Sequence, residues 1–210
     1  MSGYVKICGV TRQQDAELAF RCGATAVGLV FAAGSKRRVT PAQARRIRRA
    51  VGPWPALVGV FVDTPAREIR AIADEAGLTA VQLHGSERPG YERILGNLLT
   101  IKAFRVGPGF AVAALRRHRA GAWLFDTEVR GSDGGTGRTF DLSLLRGVPR
   151  TTPVILAGGL HAGNVAEAVR RLRPYGVEAS SRVETAPGIK DPVAMKRFIT
   201  NAQKAYRTLP

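Results

Sequence analysis

The chain is poor in the residues that build disulfide and metal frameworks. Its 210 residues include two cysteines, Cys8 and Cys22, and three histidines, His84, His118 and His161. Two cysteines so placed are too few for a disulfide scaffold or a zinc site. The histidines are scattered without metal-ligand spacing, so no metal is expected. No apolar run approaches the roughly 20 residues that a membrane span needs, so no membrane partner is expected. The opening MSGYVKICGV passes directly into strand-like sequence, without the n-region and long apolar h-region of a signal peptide. The expectation is a cytoplasmic protein.

Acidic residues are scarce too. There are 16 Asp+Glu against 32 Lys+Arg, giving a formal net charge of +16. Such an excess suits nucleic-acid binding, because cations neutralise backbone phosphate. It equally suits attraction of a small anionic substrate. A third reading is arginine spread over solvated helix faces. The runs RRIRR at 45–49 and RRLR at 170–173 fit the third, since they interrupt amphipathic patterns. No RNP, helix-turn-helix or zinc-finger pattern accompanies them, so a nucleic-acid partner is not expected.

What is present is a regular alternation. Hydrophobic residues make up 45%, enough for a large core. Strand patterns fall at 5–10, 26–31, 56–62, 79–84, 100–106, 122–127, 153–158 and 176–181. Helical patterns lie between and after them, at 12–22, 41–51, 66–76, 87–95, 109–119, near 142–146, 162–172 and 192–206. Thr40 before Pro41, and Thr64 before Pro65, have the form of capping threonines ahead of a first-turn proline. Strands such as VGLVF and LVGVFV are nearly continuous in apolar residues, as strands covered on both faces are. Eight strands alternating with eight helices predict a single-domain α/β (β/α)8 TIM barrel over residues 1–210. A doubly wound open sheet is the alternative, weakened because no GxGxxG follows the first strand.

In such a barrel the chemistry gathers at the C-terminal strand ends. Alternation along the first strand turns Val5 and Ile7 toward the helices and Lys6 and Cys8 inward. An inward lysine needs an anion. Beside that cation, the Cys8 thiol is expected to ionise more readily, although a buried structural cysteine is the plainer reading. The sixth strand turns Leu124 and Asp126 inward and leads into GSDGGTG at 131–137, a loop of the kind that forms lids. The fourth strand offers inward Gln82 and His84. After the second comes AGSKRRV at 33–39, whose Arg37 can clamp a carboxylate or phosphate. Gly158 and Gly159 follow the seventh strand, and Ser180 and Ser181 end the eighth. Loops in these two places commonly hold phosphate on backbone N–H groups.

In this order KICGVT, GLVFAAGSKRRVTP, VGVFVD, VQLHG, LFDT with GGTGRTFD, LAGGL and GVEASSRVETAPGIKD closely resemble the phosphoribosylanthranilate isomerase family. The resemblance implies an Amadori rearrangement of a small anionic phosphosugar–anthranilate, with no cofactor or metal, in tryptophan biosynthesis. It implies Asp126 as general acid, Cys8 as general base and Arg37 as partner of the anthranilate carboxylate. It places phosphate near Gly158, Gly159, Ser180, Ser181 and Arg182; Lys6, Gln82, His84 and Glu178, inward by strand alternation, are expected at the substrate. A monomer or homodimer is expected.

Two residues depart from the family pattern. Glu178 stands where the family usually has aspartate, and Arg182 where it usually has glycine. Glu178 is expected to project toward a sugar hydroxyl or the anthranilate amine. Arg182 either strains a left-handed turn that glycine allows, or folds its guanidinium over the phosphate. The alternatives are a diverged paralogue acting on another N-linked phosphosugar, and a non-catalytic basic binding protein on the same barrel.

Overall fold

The structure, a computed structural model, describes residues 3–107, 110–126, 145, 147–149 and 151–209. Eight parallel strands close a barrel in sequence order. They are β1 (Tyr4–Ile7), β2 (Ala26–Val30), β3 (Ala56–Phe61), β4 (Ala80–Leu83), β5 (Leu99–Arg105), β6 (Ala122–Asp126), β7 (Val154–Ala157) and β8 (Gly176–Ala179). Closure comes from β1 pairing with β8, with Lys6 opposite Glu178 in the register.

The strands are apolar on both faces because each face is covered. Val5, Ile7, Leu29, Phe61, Trp123, Phe125 and Val177 pack outward against the helical shell. Ala26, Val58, Ala80, Ile101, Leu124 and Ile155 fill the interior. Each large side chain buried in this way contributes about 1.5–3 kcal/mol. Many interior positions are alanine or glycine, which leaves room inside for the long side chain of Lys6.

The outer helices are α1 (Gln13–Arg21), α2 (Pro41–Val51), α3 (Ala66–Ala76), α4 (Tyr91–Ile94), α5 (Val165–Leu172) and α6 (Pro192–Arg207). Thr40 caps α2 as expected. Its hydroxyl accepts from the Gln43 amide at 3.2 Å, and the Gln43 side chain accepts from the Thr40 amide at 2.8 Å. That reciprocal box is worth about 1 kcal/mol. At α3 the expectation fails: Pro65 itself is the cap residue, and the Thr64 hydroxyl instead donates to the Val62 carbonyl.

Two other helices differ from their patterns. In place of 87–95 only Tyr91–Ile94 is helical. Glu87 is drawn out of the helix: its carboxylate accepts from the amides of Asp63 and Gly85 and pairs with Lys102 at 2.7 Å. In place of 109–119 there is a 3-10 segment, Val112–Arg117, with Leu115 as its one buried residue. One buried position makes no apolar stripe to hold an α-helix. The loop 131–137, and the pattern near 142–146 apart from Leu145, lie outside the described residues. After β8 a 3-10 turn, Ser181–Val183, leads into a small hairpin of β9 (Glu184–Ala186) and β10 (Ile189–Lys190). No helix among the described residues is long and apolar enough to cross a membrane.

Candidate active site

Strand alternation delivers the expected inward set to one end of the barrel. Lys6 is wholly buried. Its ammonium donates to Glu178 Oε2 at 2.5 Å, to Gln82 Oε1 at 2.7 Å and to Cys8 Sγ at 3.5 Å. Burial alone pulls the Lys6 pKa down, but the negative forms of Cys8 and Glu178 more than offset it, so it sits above the ordinary lysine value. Lys6 is therefore a permanent cation, with Glu178 as its main counter-charge.

That pairing overturns one expectation. The Cys8 thiol is pushed up to about 11, by burial first and by Glu178 second, against the pull of Lys6 and Lys190. Lys6 was expected to make Cys8 a ready thiolate. Glu178 holds the ammonium 1 Å closer than the sulfur does, and its own negative charge opposes a second anion beside it. Space for the thiol comes from Gly28. A Cβ there would lie 2.7 Å from Cys8 Sγ and 3.0 Å from Lys6 Nζ.

Gln82 and His84 extend the same chain across the mouth. The Gln82 amide nitrogen meets His84 Nδ1 at 3.1 Å, and His84 Nε2 lies 3.2 Å from Asp126 Oδ2. The substituents named at β8, β1, β4 and β6 are thus joined in one line, Glu178 to Lys6 to Gln82 to His84 to Asp126.

Arg37 sits at the rim and is held by a residue that sequence reasoning passed over. Glu184 accepts from Arg37 Nε at 3.0 Å and from its Nη2 at 2.7 Å. Glu184 also pairs with the buried Lys190 at 2.6 Å. The Lys190 ammonium donates in turn to the carbonyls of Cys8 at 2.5 Å and Ser180 at 3.3 Å. Burial works against the Glu184 charge, but the hydrogen bonds from Arg37 and Lys190 outweigh it and bring its pKa below the usual carboxylate range. Two opposite charges flanking Gly188 in a short hairpin were the available signal. For Gly28 the signal was a glycine inside an otherwise apolar strand, which marks a close approach.

A cleft of about 340 Å³, counting its open mouth, lies over the ends of β6, β7 and β8. Asp126, Gly158, Gly159, Glu178, Ser180, Ser181 and Arg182 line it. Lys6, Cys8, Gln82, His84 and Arg37 are not on this wall. The first four connect to it through the bonds above. Gly158 and Gly159 have φ of 82° and 65°, conformations that suit glycine. Arg182 does not: the positive-φ residues other than glycine are Asp63 and Arg173 among the described residues. Of the two readings of Arg182, left-handed strain is the one the backbone contradicts, because the chain passes it in a 3-10 turn. Its exposed guanidinium adds to burial in lowering the His161 pKa.

Residues 5–201 match the family model for N-(5'phosphoribosyl)anthranilate (PRA) isomerase. The N-(5'-phosphoribosyl)anthranilate isomerase of Pelobacter propionicus is 43% identical over 200 residues, 95% of each chain. Monomers generated from the dimeric isomerase of Thermotoga maritima superpose with a TM-score of 0.82 at 34% identity, covering 99% of this chain and 100% of that one. An isomerase in complex with reduced 1-(o-carboxyphenylamino)-1-deoxyribulose 5-phosphate superposes with a TM-score of 0.81 at 37% identity, covering 96% and 99%. A match of this extent, on a barrel whose strand ends carry the acid, thiol and arginine set, means that the chain belongs to the N-(5'-phosphoribosyl)anthranilate isomerase family.

Proposed function

We propose that the chain catalyses the Amadori rearrangement of N-(5-phosphoribosyl)anthranilate to 1-(2-carboxyphenylamino)-1-deoxyribulose 5-phosphate, in the cytoplasmic biosynthesis of tryptophan, as a monomer or homodimer. The observation that carries this reading is the hydrogen-bonded line that joins the Cys8 corner to Asp126 beside the cleft.

Asp126 is the general acid. It protonates the furanose ring oxygen, the bond from that oxygen to the first sugar carbon breaks, and the anilino nitrogen forms a cationic Schiff base. Cys8 is the general base. As thiolate it takes the proton from the second sugar carbon, the freed electron pair makes the carbon–carbon double bond, and the nitrogen regains its lone pair. The enolamine becomes the ketone as its hydroxyl loses a proton and the first carbon gains one. The thiol is thereby restored, and Asp126 regains its proton from water.

Because the thiol pKa is raised, proton abstraction depends on the charge of the Schiff base, which favours loss of the thiol proton to water and leaves the thiolate. Arg37, steadied along one edge by Glu184, is assigned to the anthranilate carboxylate. Gly158, Gly159, Ser180, Ser181 and Arg182 are assigned to the phosphate, and the +16 charge draws the multiply anionic ligand toward the site. The test is a fluorescence-monitored isomerase assay on the purified protein, with complementation of a tryptophan auxotroph lacking this step. Turnover and growth are expected. Soluble protein that does neither would reject the assignment.

A further inference from the structure

We propose that His84 is a positioning residue for Asp126, locked by Gln82 and Lys6 in the tautomer that carries its proton on Nε2. The inference deepens the proposed function and rests on Asp126 being the acid in that reading.

Ring protons and amide orientation are ordinarily ambiguous, because oxygen and nitrogen look alike and either ring nitrogen can hold the proton. Here the ambiguity resolves from one end. An ammonium has three donors and no acceptor. Lys6 Nζ therefore demands an oxygen from Gln82, and finds Oε1 at 2.7 Å. That fixes the amide and turns its NH2 group toward His84 Nδ1 at 3.1 Å. The amide nitrogen has only protons to offer, so Nδ1 must accept. The ring proton is then left on Nε2, which donates to Asp126 Oδ2 at 3.2 Å. Lys6 cannot rotate out of this arrangement without leaving Glu178, which it meets at 2.5 Å in the buried interior.

Two consequences follow. Oδ2 of Asp126 is committed as an acceptor, which fixes how the carboxyl is turned toward the ring. The imidazole itself is kept out of proton transfer, since protonating Nδ1 would set an N–H against the NH2 group of Gln82. His84 thereby orients the acid without exchanging protons with the substrate. The residues that carry the lock come from four strands and their ends, β8, β1, β4 and β6, so it reports on the assembled barrel mouth.

The experiment reads the ring directly. Two-bond proton–nitrogen NMR spectra of the wild-type protein at neutral pH resolve its three histidines, with His84 assigned by its loss in His84→Gln. The expected signature is an unprotonated Nδ1 and a protonated Nε2. A protonated Nδ1, whether in the other tautomer or in an imidazolium, would overturn the lock. In Gln82→Leu the single signature should give way to a tautomer mixture, and persistence of the pure Nε2–H form would count against Gln82. Kinetics give the second reading. His84→Ala should lower kcat by about 10²-fold, the size expected for a misplaced catalytic group, with KM shifted by less than about threefold. His84→Gln, which returns an N–H near the position of Nε2, should recover most of that loss. An unchanged kcat in His84→Ala, or an effect confined to KM, would overturn the positioning role. The spectra need no substrate. A wild-type protein with the expected signature and no isomerase turnover would refute the proposed function while leaving the lock standing.

Discussion

Gly28 offers the sharpest test of how the base corner is built. Its backbone is not in the left-handed region, so alanine meets no conformational penalty there. The penalty is one of space. The added methyl would stand 2.7 Å from Cys8 Sγ, 3.0 Å from Lys6 Nζ and 3.1 Å from Lys6 Cε. Comfortable non-bonded contacts lie near 3.5–4.0 Å, so both side chains must retreat by about 0.5–1 Å. Lys6 has little freedom to do so, held as it is by Glu178 and Gln82. The thiol must take most of the movement. A shift of this size in a catalytic group costs about 10²-fold in turnover. Overpacking a buried interior costs about 1–3 kcal/mol of stability. Gly28→Ala should therefore lower kcat in the isomerase assay by about 10²-fold while the urea midpoint falls modestly and the protein stays folded. Wild-type turnover in a folded Gly28→Ala protein would refute both the crowding argument and the place given to the thiol.

Other expectations concern the charges around this corner. Cys8→Ser and Asp126→Asn should each reduce turnover by at least about 10²-fold with the urea transition retained, and near-normal turnover in either would reject its role. Glu178→Gln removes an anion that raises the thiol pKa and releases Lys6 toward sulfur. In a Cys22→Ser background the pH midpoint for alkylation of Cys8 should fall, and an unmoved midpoint would contradict the cause assigned here. Glu184→Gln should weaken the hold on Arg37 and Lys190 together, lowering stability on the order of 3 kcal/mol as for a broken buried pair, with KM rising. A neutral result in urea would show that the pair carries little. The folded-state pKa values of Glu87 and Glu184 lie below the ordinary 4.5. Groups depressed in this way contribute stability that is fully present above their unfolded pKa and lost as pH falls through the folded one. The urea midpoint should thus begin to decline below about pH 4.5, and Glu87→Gln should flatten part of that decline.

The barrel was legible because its strands are apolar on both faces and its interior parity is strict. Val5 and Ile7 read outward, Lys6 and Cys8 inward, and the structure places them so. Strand limits moved by at most three residues, while 41–51 and 66–76 matched α2 and α3 at both ends. The failures share a cause. At Glu87, a side chain found better partners in three-dimensional space than in its own helix. At Cys8, the proximity of a cation was read correctly, but burial first and a third group, Glu178, second outweighed its pull on the thiol. Pairwise reading along a sequence does not weigh competing partners, and the relation of Glu184 to Arg37 spans 147 positions. At Arg182 the backbone does not need glycine, which leaves its guanidinium as the property to test.

The contact of Lys190 with the Cys8 carbonyl joins groups 182 positions apart. Lys6 likewise waits for Glu178, 172 positions later, for its counter-charge. A chain leaves the ribosome from its N-terminus. Cys8 and Lys6 are thus made well before the groups that hold them. Until β8 and the hairpin arrive, a nascent barrel carries an ammonium that it cannot bury. β1 and β8 act as the clasp of a bracelet, and the same closure that completes the sheet brings Lys6 and Cys8 to the groups that hold them, so a product truncated before β8 lacks both together.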